Sequence, residues 1–259
     1  MLKDITIGQY VSRESAIHRL DPRVKLRFVI LYIILLLIDR NLPLYIMLSA
    51  LFVAAVAIAG IPVSYMMKGT RGMLVFIGIC SAISIFTTPD NESIKVGIFT
   101  MTQAGIIKAC FIFWRMLLMI FMSSLLMYTT TPSEITDGLE KAFHMKSDIA
   151  MGITIALRFI SVLSEEMDRI IKAQTMRGAA FDTGNFFQRA KSMLHVIRPL
   201  FQNAINRAES LGDAMDARCY QGGRGRTKLK PLSYDTRDFL MYLFMVALLF
   251  AGVWMAITF

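Results

Sequence analysis

Five runs of apolar residues, the first four close together and the fifth after a long polar region, constrain this chain more than any other feature. Val24 and Leu26 lead into an unbroken apolar stretch from Phe28 to Ile38, and further runs cover Leu44–Ile61, Met73–Thr87, Ala104–Tyr128 and Phe239–Ile257. A helix needs about 20 apolar residues to cross the hydrocarbon of a bilayer. Four of the runs approach or exceed that length. The first is short, but Lys25 and Arg27 can snorkel at one end while Asp39, Arg40 and Asn41 sit at the opposite headgroup level. Because lipid offers no hydrogen bonds to an exposed backbone, runs of this kind fold as helices. The expected class is therefore all-α, a polytopic membrane protein with about five transmembrane helices. Composition agrees: 55% of the 259 residues are hydrophobic and only 18% are charged, against about 45–50% and 25% in soluble domains.

The net charge of +9 has two readings. Nucleic-acid binders interleave aromatic and basic residues within a recognisable motif, and nothing of the kind occurs here, so no nucleic-acid partner is expected. Membrane proteins instead retain Lys and Arg in their cytoplasmic loops. Lys3, Arg13, Arg19, Arg23, Lys25 and Arg27 precede the first run, whereas the turn after it carries only Arg40. This bias predicts a multi-pass protein of the cell membrane with its N-terminus in the cytoplasm, and five crossings would place the C-terminus outside. The polar, charged start from Met1 to Leu20 is not a cleavable signal.

Cys80, Cys110 and Cys219 form no C-x-x-C pair, and His18, His144 and His195 have no metal-ligand spacing, so neither a disulfide framework nor a metal site is expected. No P-loop sequence is present, and the glycine-rich run at 222–225 follows no strand-like segment. No cofactor is implied. Glu165, Glu166 and Asp168 could be read as the carboxylates of a membrane enzyme, but they alternate with Arg169 and Lys172 as a solvated helix face does. No catalytic residue is assigned. Lys108 and Arg115 interrupt the fourth apolar run, where a charge is either snorkelling or functional.

The polar region between the fourth and fifth runs has its own order. Ser133 is the expected N-cap of a short helix ending near Phe143. Ile153, Ala156, Ile160, Leu163, Met167 and Ile170 alternate at spacings of three and four, predicting an amphipathic helix over 149–176. A bridging segment follows at 186–197, and Pro199 is expected to start a second helix carrying Ala204, Ala208, Leu211 and Met215. Each helical pattern runs out at an arginine: Met176-Arg177-Gly178 and Ala217-Arg218-Cys219. One such arginine suits the negative end of a helix dipole. Two in a single polar segment suggest protruding guanidinium groups that dock bidentately into clefts on a partner, a role lysine does not fill. The expected division is 1–128, the N-terminal flank and four membrane helices; 129–237, a cytosolic coupling domain; and 238–259, the last membrane helix.

These motifs together resemble the transmembrane T component of energy-coupling factor (ECF) ABC transporters, the EcfT/CbiQ family. The resemblance rests on Ile5–Tyr10, on Ser15-Ala16-Ile17-His18-Arg19-Leu20-Asp21-Pro22-Arg23-Val24-Lys25-Leu26, and on Thr130-Thr131-Pro132-Ser133-Glu134. It also rests on Ala156–Ile160 with Glu165-Glu166, on Arg207–Leu211, and on the two arginine tripeptides. The family carries two Ala-Arg-Gly-type tripeptides; here Met176 replaces the first alanine and Cys219 the second glycine. The resemblance implies a non-catalytic subunit in a bacterial membrane, with ATP hydrolysis on partner subunits. Residues 176–178 and 217–219 would each engage one of two cytosolic ABC ATPases. The membrane part would hold an S component that binds a micronutrient. The N-terminal stretch is similar to the vitamin-importing type; a dedicated cobalt or nickel importer is the alternative within the family, and a polytopic membrane enzyme the alternative outside it.

Overall fold

The computed structural model describes residues 15–38, 42–87, 93–96, 99–179, 181, 186–223 and 234–258. In chain order the elements are α1 (Pro22–Ile38), α2 (Leu42–Ala59), α3 (Val63–Gly69), α4 (Arg71–Thr87), β1 (Ser93–Val96), β2 (Phe99–Thr102), α5 (Gln103–Thr129), α6 (Pro132–Ala142), α7 (Ser147–Met176), α8 (Phe186–Ala217) and α9 (Thr236–Thr258). They fall into two compact units, the first comprising residues 8–142 and 232–259 and the second 1–7 and 143–231. The protein is an all-helical polytopic membrane protein whose one departure, among the described residues, is an antiparallel hairpin pairing Ser93 with Thr102 and Val96 with Phe99. The apolar runs do not reveal that hairpin; it occupies a stretch between spans that carries Lys95 beside Asp90 and Glu92.

Among the described residues, four helices have the length and apolarity to cross a membrane: Leu42–Ala59, Gly105–Thr129, Ser147–Met176 and Thr236–Met255. α3 and α4, bent by 74° at Thr70, make a fifth when taken together. The set differs from the five runs in two ways. α1 has 17 residues, about 25 Å at 1.5 Å per residue, short of a ~30 Å hydrocarbon core. α7 qualifies on hydropathy although its second half is charged.

In the first unit α1 is the central post. Ten of its 17 residues are buried, as expected for a helix that is apolar all round, and it packs against α5, α6 and α9. Val24, Tyr32, Leu36, Leu48 and Met66 are wholly inaccessible. The Tyr32 hydroxyl, which cannot be buried unpaired without cost, donates to the Leu48 carbonyl of α2 at 3.0 Å. Phe52 stacks on Phe121 with ring centroids 5.9 Å apart, joining α2 to α5. α6 approaches α1 so closely that a Cβ at Gly138 would lie 2.9 Å from Leu26 Cδ1 and 3.3 Å from the Pro22 carbonyl carbon.

α6 is capped two residues earlier than expected. Thr131, not Ser133, is the N-cap: the Thr131 N–H donates to Glu134 Oε2 at 3.0 Å, and the Glu134 N–H donates to Thr131 Oγ1 at 3.3 Å. This reciprocal capping box, with Pro132 in the first helical position, needs the Thr-x-x-Glu spacing that only Thr131 has.

The second unit contains α7 and α8. Here the expected break at Pro199 does not exist, for α8 runs unbroken from Phe186 to Ala217 with Pro199 inside it. Proline removes one backbone bond from a helix interior, but the inward positions Val196, Leu200, Asn203, Ala204, Leu211 and Met215 keep the same helical phase on both sides of it. Side-chain packing in one register holds the two halves together.

Candidate functional site: two arginine-tipped helix ends

Both arginine tripeptides close their helices in the same way. At the end of α7 the Ala179 N–H donates to the Gln174 carbonyl and the Gly178 N–H to the Thr175 carbonyl, each at 3.0 Å. At the end of α8 the Tyr220 N–H donates to the Met215 carbonyl at 3.0 Å and the Cys219 N–H to the Asp216 carbonyl at 2.9 Å. These are two Schellman caps with Arg177 and Arg218 as the C-cap residues. The cap requires a left-handed residue next, and Gly178 (φ 88) and Cys219 (φ 55) supply it. Glycine adopts that conformation freely; cysteine does so against the clash of its Cβ with the backbone. Arg177, Gly178, Ala217, Arg218 and Cys219 are all exposed, and Met176 is 84% exposed. A large apolar side chain beside an unburied guanidinium at a helix tip has the composition of an interface anchor.

α7 and α8 run in opposite directions and are tied along their length. Asn203 Nδ2 donates to Glu166 Oε1 at 2.7 Å, and the Arg207 guanidinium lies 3.6 Å from Glu166 Oε2. The Tyr220 hydroxyl, past the end of α8, donates to Asp148 near the start of α7 at 3.1 Å. The two arginines therefore lie at opposite ends of the pair. Of the carboxylates weighed as catalytic, Glu166 is taken up by Asn203 and Arg207, while Glu165 and Asp168 are exposed on the same helix. They do not converge on a site.

The two faces of this pair are unequally covered. Leu163, Met167 and Ile170 in the second half of α7 are half-buried, whereas Ile149, Ile153, Ala156 and Ile160 in the first half are exposed. On α8, Leu194, Ile197, Phe201 and Ile205 form a stripe at helical spacing, with Leu194 62% and Phe201 65% exposed. In the first unit, Lys108 is exposed on α5, and Arg115 Nε is buried there with no hydrogen-bond partner among the described residues.

Sequence reasoning missed a polar latch where α1 and α9 begin and α5 ends. Asp21 caps α1, accepting the Arg23 N–H at 2.9 Å, with Pro22 in the first helical position. The Asp238 carboxylate accepts the Asp21 N–H at 3.0 Å and the Asp235 N–H at 2.9 Å. Lys25 Nζ donates to the carbonyls of His18 and Thr129, at 3.1 and 3.0 Å. The Arg23 guanidinium lies 4.8 Å from the centre of the Tyr234 ring, and its hydrogen bond to that phenol holds Tyr234 below the usual tyrosine range. Asp21, Arg23, Lys25 and Asp238 are all buried. Asp21-Pro22 has the form of an N-cap followed by a first-turn proline, but nothing in the sequence pairs Asp21 with a residue 217 positions away.

The sequence pattern of the CbiQ family, described as a cobalt transport protein, matches residues 13–229. The chain belongs to the EcfT/CbiQ family. It is 39% identical over 249 residues to the energy-coupling factor transporter transmembrane protein EcfT of Clostridium kluyveri, covering 93% of this chain and 92% of that one. The protein of the same name from Brevibacillus brevis is 40% identical over 262 residues, covering 98% and 99% of the two chains, and that from Bacillus subtilis is 36% identical, covering 96% and 98%. The match with CbiQ takes in both arginine tripeptides and the residues of the polar latch up to Lys25. The chain is thus a transmembrane component of an ECF transporter.

Proposed function

We propose that this chain couples two cytosolic ABC ATPases to a membrane-embedded S component, so that ATP hydrolysis on the partners drives uptake of a vitamin. The observation that carries the proposal is the duplicated tip: two helices of one unit, each closed by a Schellman cap, each presenting an exposed arginine. The cap fixes each arginine's backbone before docking, and its fork suits a carboxylate or a set of carbonyls in a cleft. Residues 176–178 and 217–219 are the docking tips in this reading, within a segment 129–237 that faces the cytoplasm together with the N-terminus. The basic N-terminal flank supports that orientation. The exposed stripe of α8 and the exposed first half of α7 provide the apolar surface that an S component, itself lipid-embedded, would cover.

The test is reconstitution in proteoliposomes with the two ATPase subunits and an S component, measuring ATP-dependent accumulation of a radiolabelled vitamin together with recovery of the ATPases on the purified chain. Arg177→Ala and Arg218→Ala should each weaken recovery or uncouple hydrolysis from uptake. A double variant that assembles and transports like the parent would end the proposal. The description of the matched family as a cobalt transport protein supports one competing cargo, and radiolabelled cobalt in the same vesicles decides between them.

A further inference from the structure

The first unit contains an apolar pocket of about 460 Å³ at the end of the helix bundle where α1 and α9 begin and α2 and α5 end. Its walls come from every one of those elements: Ile17 before α1, Val29 on α1, Ala55 on α2, Leu125 on α5 and Phe244 on α9. Among the described residues, the charged ones that line it are both cationic, Lys25 and Arg237. Lys25 is committed to the carbonyls of His18 and Thr129. Arg237 is not committed in this way: its side chain is 55% exposed and its Nε lies 3.9 Å from the exposed Asp235 carboxylate, a distant contact.

From this geometry we infer that the pocket holds one acyl chain of an anionic phospholipid, with Arg237 as the headgroup ligand. Whatever enters must be hydrocarbon, because the walls offer almost nothing to satisfy a polar group. Whatever remains at the rim must accept hydrogen bonds from a guanidinium and carry negative charge, as a phosphodiester does. At the same end of the bundle Arg19, Arg23, Lys25 and Arg27, together with Arg237, outnumber the carboxylates of Asp21, Glu134, Asp235 and Asp238, and basic pockets between membrane helices select acidic lipids. The occupant would brace the latch, because Lys25 and Thr129 belong to both.

The experiment is native mass spectrometry of the full chain in mild detergent, titrated with phosphatidylglycerol and with phosphatidylcholine of identical chains, with thermal unfolding alongside. The parent should retain one phosphatidylglycerol with about tenfold preference over phosphatidylcholine. Arg237→Ala should remove most of that preference while chains of either lipid still bind. Ala55→Phe, which fills the pocket, should abolish tight retention of both; if it unfolds, Ala55→Leu with a loss of lipid-dependent thermal stabilisation serves instead. Equal retention of the two lipids by the parent overturns the headgroup assignment. Undiminished retention in the filled-pocket variant means lipid bound elsewhere on the surface, and binding that appears only when residues 1–14 are deleted means the chain covers the pocket itself. Either result overturns the inference.

Discussion

Cys219→Gly is the perturbation whose outcome follows most directly from the backbone. Cys219 holds the left-handed position of the α8 cap at φ 55, a conformation that costs a non-glycine residue roughly 1–2 kcal/mol. Glycine removes that cost but brings a larger unfolded-state entropy, which returns about 0.4–1 kcal/mol. The net gain is about 0.5–1 kcal/mol. It is local to the last turn of α8, because the bonds it strengthens are those of Cys219 to Asp216 and Tyr220 to Met215. Hydrogen exchange read by mass spectrometry on peptides covering 211–222 should slow by about two- to fivefold. Gly178→Ala is the mirror experiment. A Cβ there would meet nothing within 4 Å, yet φ is 88, so the whole cost is backbone strain and exchange at the end of α7 should accelerate by about fivefold. The reasoning fails if Cys219→Gly leaves exchange unchanged or speeds it, since the cysteine would then be comfortable where the cap places it.

Three further outcomes are expected. Thr131→Ala removes one half of the capping box that starts α6 and should lower stability by about 1 kcal/mol in a chemical or thermal unfolding assay. Asp238→Ala leaves the Asp21 and Asp235 N–H groups without their acceptor in a buried latch and should cost about 2–4 kcal/mol, with α1 and α9 losing exchange protection together. Arg177→Ala, at an exposed position, should leave the melting temperature of the isolated chain unchanged while lowering recovery of the ATPase partners, which separates docking from folding.

The helical framework was legible because lipid makes helix formation nearly compulsory for a long apolar run. The runs at 44–61, 104–128 and 239–257 each fall within three residues of the ends of α2, α5 and α9. What was hidden depends on partners distant in sequence. A proline inside a polar segment reads as a helix start, and only the packing of α8 in one phase carries it through Pro199. Ser133 has the chemistry of a cap, but the choice between it and Thr131 turned on which residue stands three before a glutamate. The first arginine tip was announced by Gly178. The equivalence of the second was visible in its spacing alone, since no sequence rule gives a cysteine a positive φ. The junction of α1, α5 and α9 needed the fold before Asp21 and Asp238 could meet.

The contact between Glu166 and Asn203 gives the α7–α8 pair a fulcrum with unequal arms. Arg177 lies 11 residues beyond it and Arg218 lies 15, about 16 Å and 22 Å along their respective helices. A rotation that swings the shorter arm by 3 Å, to order of magnitude, swings the longer by about 4 Å. In the assembly proposed above, two motors closing symmetrically would meet an asymmetric yoke. Equal strokes on the cytosolic side would then be turned into a tilt of the pair and not a simple pinch.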